Sequence, residues 1–490
     1  MTITLAPATK PSRWPAKQFG EVAFVFFIGA WATATAAPLV TIEATRMSGP
    51  APLAVHFDAS GTTATAGAMP FHQLIYSFDF GDERGQTWPV SGLPKNIQRG
   101  GPIAAHVFDV PGDYTVRVRA QAPDGSFSDG SVIVNVRDPN AVFTGAATVC
   151  VSTTNSFDGC PSGATRQASI PSGLDGKRVL LRRGESFSTI SPRNTDSGFQ
   201  IGAFGTGPKP LVAGVSIGMS HGVAAWANDF TVMDLNIGAG CVNIDATTSR
   251  MLLYRNDIKT PGQMESMVNV GTAAGYYQSH NTGPVPGAIY WPAEVFIVEN
   301  DIQGKIDATS KPNIVVMGYF YRSALLGNTI DRATEHSLRV WAASKLIIAH
   351  NLIGGNHYAP KPPGIRSAVK IHSGGDQPFT PKIATSTQPA TSQVILANNV
   401  IGSKTFPGSW LTGIAPQNAD AGTLEGLEDF IAENNRFVRG PLSSSEMQLR
   451  GRRMTARGNT LEGGGAPDIV RNGSNFDRGL GSWDGPYFLK

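Results

Sequence analysis

Two short phrases carry the side chains best suited to chemistry. Leu338-Arg339-Val340-Trp341 and Val369-Lys370-Ile371-His372 each alternate an aliphatic residue with a large polar or aromatic one. A period of two marks a strand with one buried face. If the two strands are successive turns of one solenoid, Arg339 and Lys370 occupy equivalent places about 4.8 Å apart. An always-charged, bidentate arginine suits a carboxylate. A lysine whose pKa is lowered by a neighbouring cation suits a general base, and His372 suits shared proton transfer. The chemistry expected is β-elimination on a uronic-acid polysaccharide. The arginine neutralises the carboxylate, the adjacent carbon gives its proton to the base, and an acid protonates the departing glycosidic oxygen. Arg339, Lys370 and His372 are the expected catalytic groups; Trp341, Glu335, His336, Asn269, Tyr319 and Tyr358 are expected to line the sugar groove.

A repeated phrase supplies the elements that must hold these residues. It runs from LLYRNDI (252–258) to TARGNTL (455–461) and aligns Asn256, Asn300, Asn328, Asn351, Asn399, Asn435 and Asn459. Its tightest intervals are 23 and 24 residues, the length of one coil of a parallel β-helix. An asparagine at each tight bend can satisfy the amides of the next coil, so these residues read as a structural ladder. A second phrase, seen in CVNID (241–245), MVNVG (267–271), IVVMG (314–318), SLRVW (337–341), AVKIH (368–372) and EMQLR (446–450), marks another sheet. Aligned, it gives an outward column Asn243, Asn269, Val316, Arg339, Lys370 and Gln448. A parallel column runs Asp245, Gly271, Gly318, Trp341, His372 and Arg450, whose glycines are expected to leave room for a ligand. Tyr319, Tyr321, His357 and Tyr358 are expected in loops or strand ends flanking it, while Lys345, Arg366 and Arg322 read as ordinary surface cations.

Residues 40–137 read as a separate small β-sandwich of short Val-rich strands with Asp-Gly and Pro-Gly turns. Tyr76-Ser77-Phe78-Asp79-Phe80-Gly81-Asp82 and His106-Val107-Phe108 followed by Pro111-Gly112-Asp113-Tyr114-Thr115-Val116 resemble the two signature phrases of the PKD family. That resemblance implies a spacer or surface-binding module, and the acids of FGDE are read as turn groups.

Residues 145–490 are expected to form a right-handed parallel β-helix. The phrases RRGESF (182–187) and GAFGTGPKP (202–210) resemble the starting coils of the pectate-lyase-like superfamily. Within that superfamily, alginate- and dermatan-cleaving lyases pair a lysine with an arginine beside calcium. Lys370 and Arg339 resemble that pair in inverted order, and Ca2+ would be held by Glu335 with Asn269 or Asp245. A hydrolase would instead need paired carboxylates on neighbouring coils. The acids available, Asp245, Asp257, Glu335 and Asp376, do not fall into one column. A non-catalytic adhesin remains the third alternative.

The fold class is therefore all-β, and composition agrees: charged residues make up only 16%, with 56 glycines and 34 prolines. A net charge of +3 over 490 residues argues against a nucleic-acid partner and says little about substrate; the expected partner is an extracellular polysaccharide, on the strength of the residues above. Residues 1–37 read as an export signal or anchor, with Lys10, Arg13 and Lys17 ahead of an apolar run and a small-residue site at 34–36. A secreted, periplasmic or cell-surface address follows. Cys150 and Cys160 bracket a polar loop where a disulfide closes easily, leaving Cys241 as a buried thiol.

Overall fold

The computed structural model describes residues 36–64, 69–193, 195–217, 228–238, 241–244, 248–259, 266–271, 292–304, 314–333, 335–354, 367–371, 391–405, 410–414, 427–441, 445–449, 452–467 and 469–471. His372, Tyr358, His357, Asp245, Asp376, Arg366, Arg450 and the 1–35 segment lie outside them.

An N-terminal sandwich and a parallel solenoid make up the fold. The sandwich packs an antiparallel sheet of Glu43–Ala44, Leu53–Asp58 and Ile103–Phe108 on a five-stranded one. The latter is ordered Ser48–Pro50, Phe127–Arg137, Gly112–Gln121, Ile75–Asp79, Ile97–Gly100. Phe57, Tyr76, Phe78, Phe108 and Val118 fill the space between. Asp138 then caps a short helix, Pro139–Val142, by accepting from the Asn140 N–H.

Beyond Thr148 every described strand pairing is parallel, and the strands stack into three sheets. The first holds Val242–Ile244, Ser266–Val270, the leading halves of Ile314–Leu326 and His336–Ala349, Ser367–Ile371, Trp410–Ile414 and Ser445–Leu449. The second runs from Thr148–Val151 through the trailing halves of the two long strands to Arg452–Arg457. The third has ten short strands, from Ser186–Phe187 to Thr460–Leu461. Residues facing inward from all three are aliphatic and buried, Val268, Leu338, Leu396 and Ile401 among them.

The seven asparagines form the expected ladder at the corner between the second and third sheets. Each Oδ1 from Asn300 to Asn459 accepts the backbone N–H and the side-chain amide of the asparagine one coil earlier, at 2.8–3.1 Å. Every one is buried or nearly so. An unmet amide there would cost about 1–3 kcal/mol, so a continuous column fixes the bend. Before each asparagine the backbone enters the left-handed region, at Arg255, Glu299, Gly327, His350, Asn398, Asn434 and Gly458.

The second sheet has an apolar outer face as well as an apolar inner one. Leu252, Phe296, Ala324, Ile347, Ile395 and Ile431 stand in register along it. The sandwich covers them with Ala54, Trp88, Ile103, Ala105 and Val107, making one shared core. Strand Leu53–Asp58 accordingly buries both its faces.

Candidate functional site

The first sheet presents a different column. Pairing sets Asn243 opposite Asn269, Asn269 opposite Met317, Met317 opposite Arg339, Arg339 opposite Lys370, Lys370 opposite Gly413 and Gly413 opposite Gln448. Arg339 and Lys370 therefore sit on adjacent rungs. Met317, not Val316, occupies the preceding rung: Val316 faces the core and is fully buried. The run IVVM is apolar at every position, so nothing in it marks the register, and the expected column falls one residue short. Gly413 fills a rung that the repeated phrase did not show.

Arg339 is held rather than loose. Its guanidinium carbon lies 3.8 Å from the centre of the Trp341 ring, and its Nη1 is 3.5 Å from the Glu335 carboxylate. His336 completes the arrangement. Its Nδ1 is 2.8 Å from the Ser367 carbonyl on the next rung, and its Nε2 lies 3.7 Å from the same Glu335 oxygen. Glu335 and His336 thus position the arginine. Lys370 is half-buried beside it.

Two expectations need correction. Trp341 is 6% exposed and sits at a bulge, because Val340 pairs with Gly318 while Ala342 pairs with Tyr319. Neither it nor Tyr319 borders an open groove from a loop: Tyr319 and Tyr321 lie inside the strand Ile314–Leu326, and Tyr319 is 2% exposed. Burial pushes the Tyr319 hydroxyl well above its ordinary pKa, with Arg339 opposing in part, so it stays a proton donor. Gly318 leaves no ligand space either, since a Cβ there would meet Val270 at 2.5 Å. Glu335 contacts Arg339, and Asn269 stands two rungs, or about 9.6 Å, from the backbone position of that arginine. Among the described residues no group of three or more His, Cys, Asp or Glu could hold a metal ion.

The third sheet holds a pair that the sequence columns missed. Asp257 and Asp301 pair in register on adjacent coils. Lys209 meets the first at 3.0 Å, and Lys259 and Gln303 meet the second. The signal was present in the aligned phrases RNDI and ENDI, where an aspartate follows each ladder asparagine.

In the sandwich, Asp79 and Asp82 serve the turn between its phrases. Asp79 accepts from the Gly81 N–H and the Asn96 amide at 2.9 Å. Burial alone would raise the Asp82 pKa, but hydrogen bonds from Arg84 and His106 outweigh it and hold the carboxyl well below its usual range. Residues 40–135 match the family model of the PKD domain. The sandwich is a PKD domain. Among solved structures, the chain is similar to the PKD domain of the human VPS10 domain-containing receptor SorCS2, at 18% identity over 26% of this chain and 98% of that one (TM-score 0.16). It is also similar to PfbA, a surface adhesin of Streptococcus pneumoniae, at 10% identity over 59% and 73% (TM-score 0.41). A third is the family 28 exopolygalacturonase of Yersinia enterocolitica, at 11% identity over 87% and 80% (TM-score 0.38). No curated protein matches the chain.

Polar contacts along both edges of the second sheet fasten the PKD domain. Lys345, expected as a plain surface cation, has a left-handed backbone and joins Asp58; its carbonyl lies 3.0 Å from His56 Nε2. His72 bridges to Asp429 and Thr455 at 3.2 and 2.8 Å. At the opposite edge Asp109 receives Tyr254 Oη at 2.7 Å and Arg255 at 3.0 Å, while Lys95 meets Glu299. Trp88 stacks on His350 at 5.0 Å between ring centroids, and Ser91 Oγ lies 2.8 Å from His350 Nδ1. Gly327 makes this seat: a Cβ on its left-handed backbone would stand 2.7 Å from the Trp88 ring. Burial lowers the His56 pKa to about 4 and that of His350 to about 3. Cys150 and Cys160 are joined in a disulfide at the first coil.

Proposed function

We propose that this is an exported protein that binds a uronate-containing polysaccharide along the first sheet and cleaves it by β-elimination on a pectate-lyase-like β-helix. Arg339 neutralises the uronate carboxylate. Lys370, one rung away, takes the proton, and His372 is proposed to share the proton transfer to the leaving oxygen. The observation that supports this most is the in-register stacking of Arg339 on Lys370. Two cations on adjacent rungs repel, and such a pair is retained where an anion lies between them. Glu335 occupies part of that role now and would yield to a substrate carboxylate. Export is supported by the apolar run near the N-terminus and by the disulfide, which persists in oxidising compartments.

Asp257 and Asp301 favour a second reading, hydrolysis by paired carboxylates. Their rung spacing of about 4.8 Å approaches the roughly 5–5.5 Å of retaining glycosidases. Each is ion-paired with a lysine, however, and neither exchanges a proton without losing that contact.

The test is to incubate the protein with alginate, pectate, glycosaminoglycans and bacterial exopolysaccharides and follow the ultraviolet absorbance of unsaturated uronate. Lys370→Ala and Arg339→Ala should each remove about 100-fold or more of any activity. New reducing ends without absorbance, lost in Asp301→Asn, would transfer the chemistry to the third sheet. Retained polymer binding with neither product would make the strip a binding surface alone.

A further inference from the structure

We propose that a second ligand site, separate from the Arg339–Lys370 strip, lies where the PKD domain, the linker and the solenoid meet, and that it takes a single sugar acid. A cavity of about 270 Å³ opens there. Gln200 and Thr231, in register on adjacent coils, form its floor. Pro50 and Pro52 wall it on the PKD side, and Val142 and Phe143 on the linker side.

The floor is polar, built and incomplete. Gln200 is 3% exposed, and its Nε2 donates to the Ala51 carbonyl at 3.0 Å, which fixes which end of the amide is the acceptor. That acceptor, Oε1, is buried and has no protein partner. Buried acceptors are almost always met, so this one calls for a donor, and Gln200 itself lines the cavity. Thr231 adds a second hydroxyl-bonding position. The rim is cationic. Arg137 is exposed at the mouth, and Arg46 stands 3.4 Å from Asp229, which Arg250 already binds through two hydrogen bonds of 2.7 and 2.8 Å. Three arginines, Arg46, Arg137 and Arg250, face two acids, Asp229 and Glu294. Positive charge is thus in excess where a ligand carboxylate would sit. Prolines and a phenylalanine suit the C–H face of a pyranose. The volume falls below the roughly 300–1,000 Å³ of drug-sized sites, which limits the occupant to one ring.

The location gives occupancy a consequence. A ligand touching all three segments binds only the docked arrangement, so it stabilises that arrangement by mass action.

Isothermal titration and thermal unfolding of the full chain with galacturonate, glucuronate, methyl glucoside and acetate test the proposal. The uronates should bind and raise Tm. Methyl glucoside should bind at least about tenfold more weakly, for want of a charge-assisted hydrogen bond. Measured in the Lys370→Ala chain, so that the strip does not contribute, Gln200→Leu and Arg137→Ala should each weaken uronate binding about tenfold. Arg137 is a surface side chain, so its variant keeps the fold even if Gln200→Leu does not. The proposal is overturned by any of three results: no uronate binding in the Lys370→Ala chain; equal binding there of methyl glucoside or acetate; or undiminished affinity when Arg137→Ala is added.

Discussion

The first and second sheets are built from the same coils, yet their outer faces have opposite characters. On the second, Leu252, Phe296, Ile347, Ile395 and Ile431 stack into an apolar column that the PKD domain covers. On the first, the corresponding column reads Asn243, Asn269, Met317, Arg339 and Lys370. The inner faces of both are apolar and buried. Inner faces therefore report only on the coil, and outer faces report on the partner. An apolar outer column marks a sheet covered by protein; a polar one marks a sheet that meets water or a polar ligand. The edges sharpen the contrast. Left-handed positions at Lys345, Asp429, Arg255 and Glu299 place charges beside the covered face, where each finds a partner on the PKD domain or on a neighbouring coil.

The largest expected effect comes from making the covered face resemble the open one. Ile395→Asp buries an unpaired charge under the PKD domain and should cost about 3–5 kcal/mol, read as a lower Tm and as proteolysis near residues 138–147. Full wild-type stability would mean that the domain does not sit there in solution. Gly327→Ala comes next. It combines left-handed strain of about 1–2 kcal/mol with a clash against Trp88, and it should reduce the quenching of Trp88 fluorescence by His350.

Acid should also act on the covered face. His56 and His350 are buried neutral, with pKa values lowered to about 4 and about 3 against about 6.5 unfolded. The unfolded chain binds these protons first, so stability is complete above about pH 6.5 and falls as pH drops, by up to about 1.4 kcal/mol per pH unit for each histidine. Between roughly pH 6.5 and 5 ordinary carboxylates titrate little, so the comparison with a histidine variant is made there. His350→Gln should flatten denaturant-derived stability in that window, and an unchanged slope would count against a neutral His350. The smallest effect on stability belongs to the open face. Lys370→Ala should alter it by no more than about 0.5 kcal/mol while removing polymer binding. The reverse pattern would make Lys370 structural.

Much of this was legible in the residues. The asparagine ladder could be read because a buried bend needs the same amide at every coil, and the phrases from RNDI to RGNT repeat it. The pairing of Arg339 with Lys370 was legible for a similar reason: a period of two with aliphatic flanks fixes register. The docking of the two modules was also written in the chain, in the runs VFIV (295–298), KLIIA (345–349) and VILA (394–397). Runs apolar at consecutive positions mark a parallel strand buried on both sides, although alignment by the asparagine alone passes over that sign. Other features left no mark. The Trp341 bulge is a one-residue offset between rungs, visible only when Val340 and Ala342 are both paired. The latch at Lys345 depends on a left-handed backbone that no composition announces, since lysine is an uncommon residue there. The Gln200 acceptor became conspicuous only once Ala51 was brought to its amide from 149 positions away in the chain.

The most direct measurement is amide hydrogen exchange of the full chain with and without an acidic polysaccharide. Added protection should appear in Ser266–Val270, His336–Val340 and Ser367–Ile371 of the first sheet. Thr391–Ala397, already shielded beneath the PKD domain, should not change. Protection gained on the PKD domain or the third sheet, with none at Arg339 and Lys370, would contradict the assignment of the open face as the ligand surface.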